Sequence, residues 1–425
     1  MEFFRYRDIF IVLGAVVVLA AGVFFVLQYQ TIFAGQTPPV VTSTNTSQAS
    51  TIIGEPQIPS PPPPPQKLNN PPEIIKGIYV TGYSAGSKKY LDYLTSLFKN
   101  TEINAVVVNI KGSDGYATYN SGAPDVQKYD LYYSAIKDID GLVRFFHDQN
   151  IYVIGRIAVF EDPVYSKVRP DIAIYNKTET IDLSQPVLWR DNNGLSWLDP
   201  ASKDGWDYNI SLAKDALHHG FDEINFDYMR FPSDGNIKNM GFPVWDEQKS
   251  EAEVIKEFSD YLRTNLPDEK ISADLFGQTT TNTDDMGIGQ IIENAFENFD
   301  YISPMVYPSH YINGFMGFDN PADHPYEVIN YSMKTALSRE KKYADFLVAI
   351  SSAGSTPEEK INIPAKKLAA FRPWLQDFNM KAYYTVDMVV AEIKATQDAL
   401  GEDYNGFMLW NPSNIYTQGA ILKPN

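Results

Sequence analysis

Acidic residues recur in this chain at places where a parallel β-strand would deliver them to its carboxyl end. The stretch Gly220 to Pro232, GFDEINFDYMRFP, reads as a buried strand with Ile224, Phe226 and Tyr228 apolar or aromatic at every second position. Its polar residues Asp227 and Arg230 collect toward the end. KISADLF at 270–276 presents Asp274 in the same way. Parallel α/β proteins keep their chemistry at that end of their strands. Cleaving a glycosidic bond needs two flanking carboxyl groups, one protonated and one ionised. An Asp and an Arg at a strand end can equally satisfy each other as a structural pair, so position alone leaves both readings open.

The elements that must position these residues alternate along the chain. Short apolar runs at 76–81, 105–111, 151–157, 220–232, 270–276 and 301–307 read as strands one to six. Helical stretches follow at 87–99, 135–149, 203–219, 247–266 and 289–298. For strand seven both 346–351 and 370–376 fit, and the second is preferred because the helix at 385–400 then follows it and 406–410 closes the set. Eight strand and helix units in strict alternation imply parallel strands closed into a (β/α)8 TIM barrel of the α/β class over residues 73–425.

Such a barrel gathers the loops after its strands on one face. That rim takes Lys111 and Asp114 after strand two, Arg156 and Asp162 around strand three, and Asp227 and Arg230 from strand four. It continues with Asp274, then Tyr307 and His310, then Gln376 and Asp377, then Trp410 and Asn411. Carboxylates with aromatics suit sugars, whose apolar ring faces stack on aromatic side chains. Trp374, Trp197 and Trp206 read instead as core or loop anchors.

Other chemistries find less support. The five histidines form no i, i+4 pair and no zinc-hydrolase spacing, so no metal is expected. Gly-x-Ser-x-Gly, a Walker loop and a dinucleotide fingerprint are all missing, and no cofactor is expected. A net charge of −18 argues against nucleic acid as a partner. The lack of cysteine decides little about compartment.

The N-terminus is organised differently. Residues 1–8 form a short tail, and Ile9 to Gln28 carries no charge and is long enough to cross a bilayer as a helix. Arg5 and Arg7 precede it and no Lys or Arg follows until Lys67, which orients the tail toward the cytoplasm and the rest outside the membrane. The span reads as an uncleaved signal anchor, because no small-x-small cleavage site precedes the polar stretch. Residues 29–72, rich in Thr, Ser, Gln and Pro with an unbroken run from Pro61 to Pro65, read as a disordered tether.

Several strings also carry a resemblance: GIYVTGYSAG, NAVVVNIKGSDG, YVIGRIAVFEDP, GFDEINFDYMRFPSDG, ISADLFG, YISPMVYPSHY, FRPWLQDF and GFMLWNPSNIY. From Lys76 to Tyr416 the chain resembles the "Putative glycosyl hydrolase domain" family of bacterial exported proteins. The resemblance implies a TIM barrel related to amylase-like enzymes. By that likeness Asp227 attacks or acts as base, Asp274 protonates the leaving group, and Asp377 orients sugar hydroxyls. Two departures stand out: amylase-like barrels carry Glu where this chain has Asp274, and the nearer family has Asp where this chain has Asn109.

The expectation is a membrane-anchored extracytoplasmic glycoside hydrolase acting on a cell-envelope or environmental polysaccharide. Its alternatives are a catalytically inactive carbohydrate-binding barrel and an envelope scaffold.

Overall fold

The computed structural model describes residues 63–351 and 367–423. The expected span at 9–28 and most of the tether lie outside them. Among the described residues no helix is long and apolar enough to cross a membrane.

Strands β1 (Ile75–Val80), β2 (Ala105–Lys111), β3 (Tyr152–Ala158), β4 (Glu223–Asp227), β5 (Ile271–Phe276) and β6 (Tyr301–Met305) lie side by side in parallel. β7 comes in two pieces, Ala370–Phe371 and Trp374–Gln376, interrupted at Pro373, which has no N–H to give to a ladder. β8 (Gly406–Trp410) pairs with β1 through Leu409 and Ile78. Trp374 of β7 pairs with Met305 of β6, and the sheet closes into a parallel eight-stranded barrel.

Around it run α1 (Lys88–Asn100), α2 (Ile139–His147), α3 (Lys203–His218), α4 (Glu251–Asn265), α5 (Pro325–Ser351) and α6 (Val386–Leu400). Their starts follow from local chemistry. Ser250 and Glu253 form a reciprocal capping box that begins α4, and the side chains of Ser202 and Thr385 accept from backbone N–H groups of α3 and α6. Each such cap contributes about 1 kcal/mol.

Three elements depart from the expectation. Segment 346–351, the alternative for strand seven, is the end of α5. The helix expected at 289–298 shrinks to a single 3-10 turn, Ile292–Ala295. Gly289 there has φ +77, and the Gln290 side chain is drawn away to accept from Phe276 N and donate to Met229 O. Strand four ends at Asp227, because Tyr228 takes a left-handed φ of +54. A non-glycine residue held there costs about 1–3 kcal/mol and turns the chain, so Arg230 leaves the strand.

The period of two along each strand sorts the residues onto two faces. On β4, Ile224 and Phe226 join the large apolar layer between sheet and helices. Glu223, Asn225 and Asp227 point into the barrel, where Asn225 reaches Ser272 and Asp274. A smaller apolar cluster, including Tyr79, Val107, Ile154, Trp374 and Met408, fills the rest of the interior.

Candidate active site

The carboxyl ends of the strands open into a cavity of about 400 Å³. Of the residues expected on the rim, Arg156, Asp227, Arg230, Asp274, Tyr307, His310 and Trp410 line it. Trp374, expected in the core, lines it too.

Asp227 is the last residue of β4 and Asp274 the fourth of β5, on neighbouring strands paired through Phe226 and Ala273. The Arg156 fork from β3 holds Asp227 Oδ2 through Nη2 and through Nε at 3.1 Å. Tyr228 N donates to Oδ1 at 2.6 Å. All these partners are donors, which suits an ionised carboxylate. Arg156 Nη1 spends its proton on the Asn109 amide oxygen at 2.7 Å. The guanidinium also lies over the Tyr79 and Trp410 rings, which stack on each other at 4.0 Å.

Asp274 is held otherwise. Its Oδ1 accepts from Asn225 Nδ2 and Trp374 Nε1, each at 2.8 Å. Its Oδ2 stays 4.0 Å from Arg156 Nε. Burial and then the Asp227 charge push its carboxyl well above the usual range, more than Arg156 and the two hydrogen bonds pull it down. The same Arg156 Nε contacts both acids, so their nearest oxygens are at most about 7 Å apart. That bound admits both the ~5–5.5 Å of a retaining pair and the short end of the ~6.5–9.5 Å of an inverting one. One acid held by donors and one whose charged form burial disfavours, facing one open space, form an arrangement that can accept and give a proton across a bond.

The remaining expected residues sit elsewhere, each for a visible reason. A bulge between Asn109 and Lys111 shifts the register of β2 against β3, and Lys111 turns out of the barrel. Its ammonium is buried against Asp162 at 2.7 Å, Asn209 and the Ala158 carbonyl, while Asp162 also caps the short helix Pro163–Val168. Asp114 lies exposed on the loop after β2. Gln376 Oε1 accepts from Ser309 N and its Nε2 donates to the Phe378 carbonyl, so it supports the loop that carries His310. Asn411 ties its own turn through Ser413 N and Ile415 O. Asp377 accepts from Thr417 N and Oγ1 at 2.8 and 2.6 Å, away from the cavity.

Some members of the site went unnoticed in the sequence. Trp374 belongs through its indole N–H, and the period of two placed it on the inner face. Asn225 and Tyr79 share that signal. Glu161, outside the cavity lining, is buried one residue before Asp162, with Oε2 enclosed and unpartnered. Burial and a hydrogen bond with Asp191 push its carboxyl up to about 8. Among the described residues no cluster of His, Cys, Asp and Glu could hold a metal ion.

Residues 77–416 match the family described as "Putative glycosyl hydrolase domain". No curated protein matches. Among solved structures, a hypothetical protein from Ruminiclostridium thermocellum is 43% identical over 46% of this chain and 96% of its own, with a TM-score of 0.42. The PgaB (BpsB) glycoside hydrolase domain from Bordetella bronchiseptica is 12% identical over 80% of this chain and 94% of its own, with a TM-score of 0.53, a likeness of fold.

Proposed function

The chain belongs to that glycosyl hydrolase domain family, and from this premise we propose that its barrel hydrolyses O-glycosidic bonds of a polysaccharide by two-carboxylate catalysis. The observation that carries the reading is that Asp227, held by the Arg156 donors, and Asp274, whose carboxyl burial and the Asp227 charge push up, face one cavity. Asp274 gives its proton to the leaving-group oxygen, and Asp227 attacks the anomeric carbon or activates the water that does. Arg156 holds Asp227 in place by donating to its Oδ2. The aromatic wall of Tyr307, Trp374 and Trp410 holds the sugar ring. Asp377 enters this scheme only through the strand it follows, since its carboxylate bonds to Thr417.

We place the barrel outside the cell, tethered by residues 29–72 to a membrane span at 9–28. The uncharged apolar run and the arginines before it support this. Protease added to intact cells should remove the barrel and leave the N-terminal fragment in the membrane fraction.

The test of the reaction is release of reducing ends from a polysaccharide panel by wild type, Asp227→Asn and Asp274→Asn. Turnover by wild type alone supports it, and equal product from all three excludes it. One observation favours a second reading, a carbohydrate-binding barrel without chemistry: donors occupy both oxygens of Asp227. That reading expects equal saccharide binding by wild type and Asp227→Asn with no product from either.

A further inference from the structure

Arg230 is a buried cation in need of a partner. Only 7% of it is exposed, and its guanidinium carbon lies 4.8 Å from the Trp197 ring, 5.2 Å from Tyr228 and 4.8 Å from Phe276. Nη1 donates to the Phe231 carbonyl at 2.9 Å and to Ser233 Oγ at 3.3 Å. Nε and Nη2 have no partner among the described residues, yet neither is sealed from solvent. Arg230 lines the same cavity as the two acids.

Burying a guanidinium with open donors and no counter-ion is costly, and a fold seldom keeps one without use. Among the described residues none of the nearby acids forms an ion pair with it, and the exposed Asp234 acts on it only at longer range. Asp227 is taken by Arg156. Burial pushes the carboxyls of both Asp274 and Glu161 up, the second to about 8, which disfavours their charged forms. His310 at the rim, pulled below the usual imidazole range by desolvation and by Lys381, adds no charge. Asn109 meets Arg156 with a neutral amide, so no second carboxylate enters from β2. The cavity therefore presents a guanidinium without an ion-pair partner among the described residues, in a chain whose net charge is −18.

We propose that this cavity takes a saccharide bearing an anionic substituent, a uronic acid carboxylate or a sulfate ester, seated on the open donors of Arg230 beside Asp227 and Asp274. The inference rests on reading the cavity as a glycoside hydrolase site and names its substrate class. A planar fork with aromatic faces packed against it is suited to an oxyanion and is held in place before the ligand arrives. The overall negative charge of the protein repels polyanions at long range, so recognition depends on this local charge and is not a matter of steering.

The test titrates the full-length protein with glucuronate, galacturonate and glucose 6-sulfate, each against its neutral parent hexose, at low salt. At least one anionic sugar should bind about tenfold or more tightly than its parent, as a charge-assisted pair provides. A uronate preference identifies a carboxylate, and a preference for glucose 6-sulfate identifies an ester. Arg230→Gln should erase the preference and Arg230→Lys keep part of it, with thermal unfolding confirming that both are folded. Asn109→Asp, which leaves Arg230 untouched and adds a negative charge, should reduce the preference severalfold. Parent and anionic sugars binding alike, no sugar binding at all, or a preference surviving Arg230→Gln each overturns the proposal. The hydrolase reading fails separately: a preference with no bond cleaved in any acidic polysaccharide removes the reaction and leaves the anion site standing. Cleavage of neutral polysaccharides that depends on Asp227, without any anion preference, does the reverse.

Discussion

Strand β4 carries a carboxylate to each end of the barrel interior, and both meet an arginine. At the start of the strand Glu223 pairs with Arg372, and both are fully enclosed. Ser272 Oγ donates to Glu223 Oε1 at 2.6 Å, Tyr152 reaches Oε2, and Arg372 lies over the Tyr301 ring. At the end of the strand Asp227 pairs with Arg156 against an open cavity. Asn225 stands between, donating toward Ser272 on one side and Asp274 on the other. The same residue types in the same register thus serve two ends. Where no space adjoins the pair, the ions bond to each other and to the side chains packed around them. Where space adjoins, the same charge faces a cavity.

The comparison breaks if the two acids respond alike to loss of charge. Asp227→Asn should lower kcat at least about 10⁴-fold, as removal of a residue central to the chemistry does, while the melting temperature moves by only a few degrees. Steady-state rates and thermal scans on one preparation decide it. A collapse of folding instead would put Asp227 in the enclosed class. Asp274→Asn should cost about 10²–10⁴ in kcat. It should also remove the alkaline limb of the pH–rate profile. That limb follows from the raised carboxyl of Asp274: the acid form persists above the usual carboxylate range, and activity falls as pH rises through its folded-state pKa. A profile unchanged by the substitution would assign the limb to another group.

Glu223→Gln should do the opposite. Arg372 already has Nε and Nη1 without partners, and losing its counter-ion in a closed space should remove about 3–5 kcal/mol of stability, read by urea unfolding. The folded fraction should keep kcat within a few-fold. A kcat loss that exceeds the stability loss would mean that the Asn225 link transmits charge to Asp274.

Much of this contrast was legible in the sequence, and the failures are local. Apolar and polar residues alternate along EINFD, so Asp227 could be placed on the inner face, and Asp274 followed from SADLF. Both depended only on period and strand direction. Lys111 obeys the same alternation on paper and leaves the barrel because a bulge inserts one residue of register. No composition rule announces that bulge. Arg230 looked like part of the strand, and a left-handed Tyr228, which sequence does not disclose, moved it to where its donors stay open. Trp374 reads in the sequence as a core or loop anchor. It is buried, but its indole N–H makes it a ligand of Asp274. The partner of Asp227 was expected to be Arg230 and is Arg156, because neighbouring strands bring Arg156 and Asn225 into register.

Asp377 sharpens the comparison from a third position. The family likeness made it a sugar-orienting acid, whereas its geometry resembles the enclosed end: Thr417 occupies both oxygens and the cavity lies elsewhere. Burial pushes its carboxyl from 3.8 up to about 6, against the opposing pull of the Thr417 donors. The native chain then holds this proton at a pH where the unfolded chain has released it. With fewer protons bound in the unfolded state, stability falls as pH rises from about 4 to about 6, by on the order of 1–2 kcal/mol after allowance for partial solvation. Asp377→Asn should flatten that part of the stability curve and leave kcat within a few-fold. Glu251, pushed up to about 7 by burial and Asp285, and Glu161, pushed up to about 8, add slopes that begin in the same window and continue above it, so the contribution of Asp377 is read as the difference between wild type and Asp377→Asn. An unchanged stability slope together with a KM raised about tenfold would instead put Asp377 at the open end, in contact with the sugar.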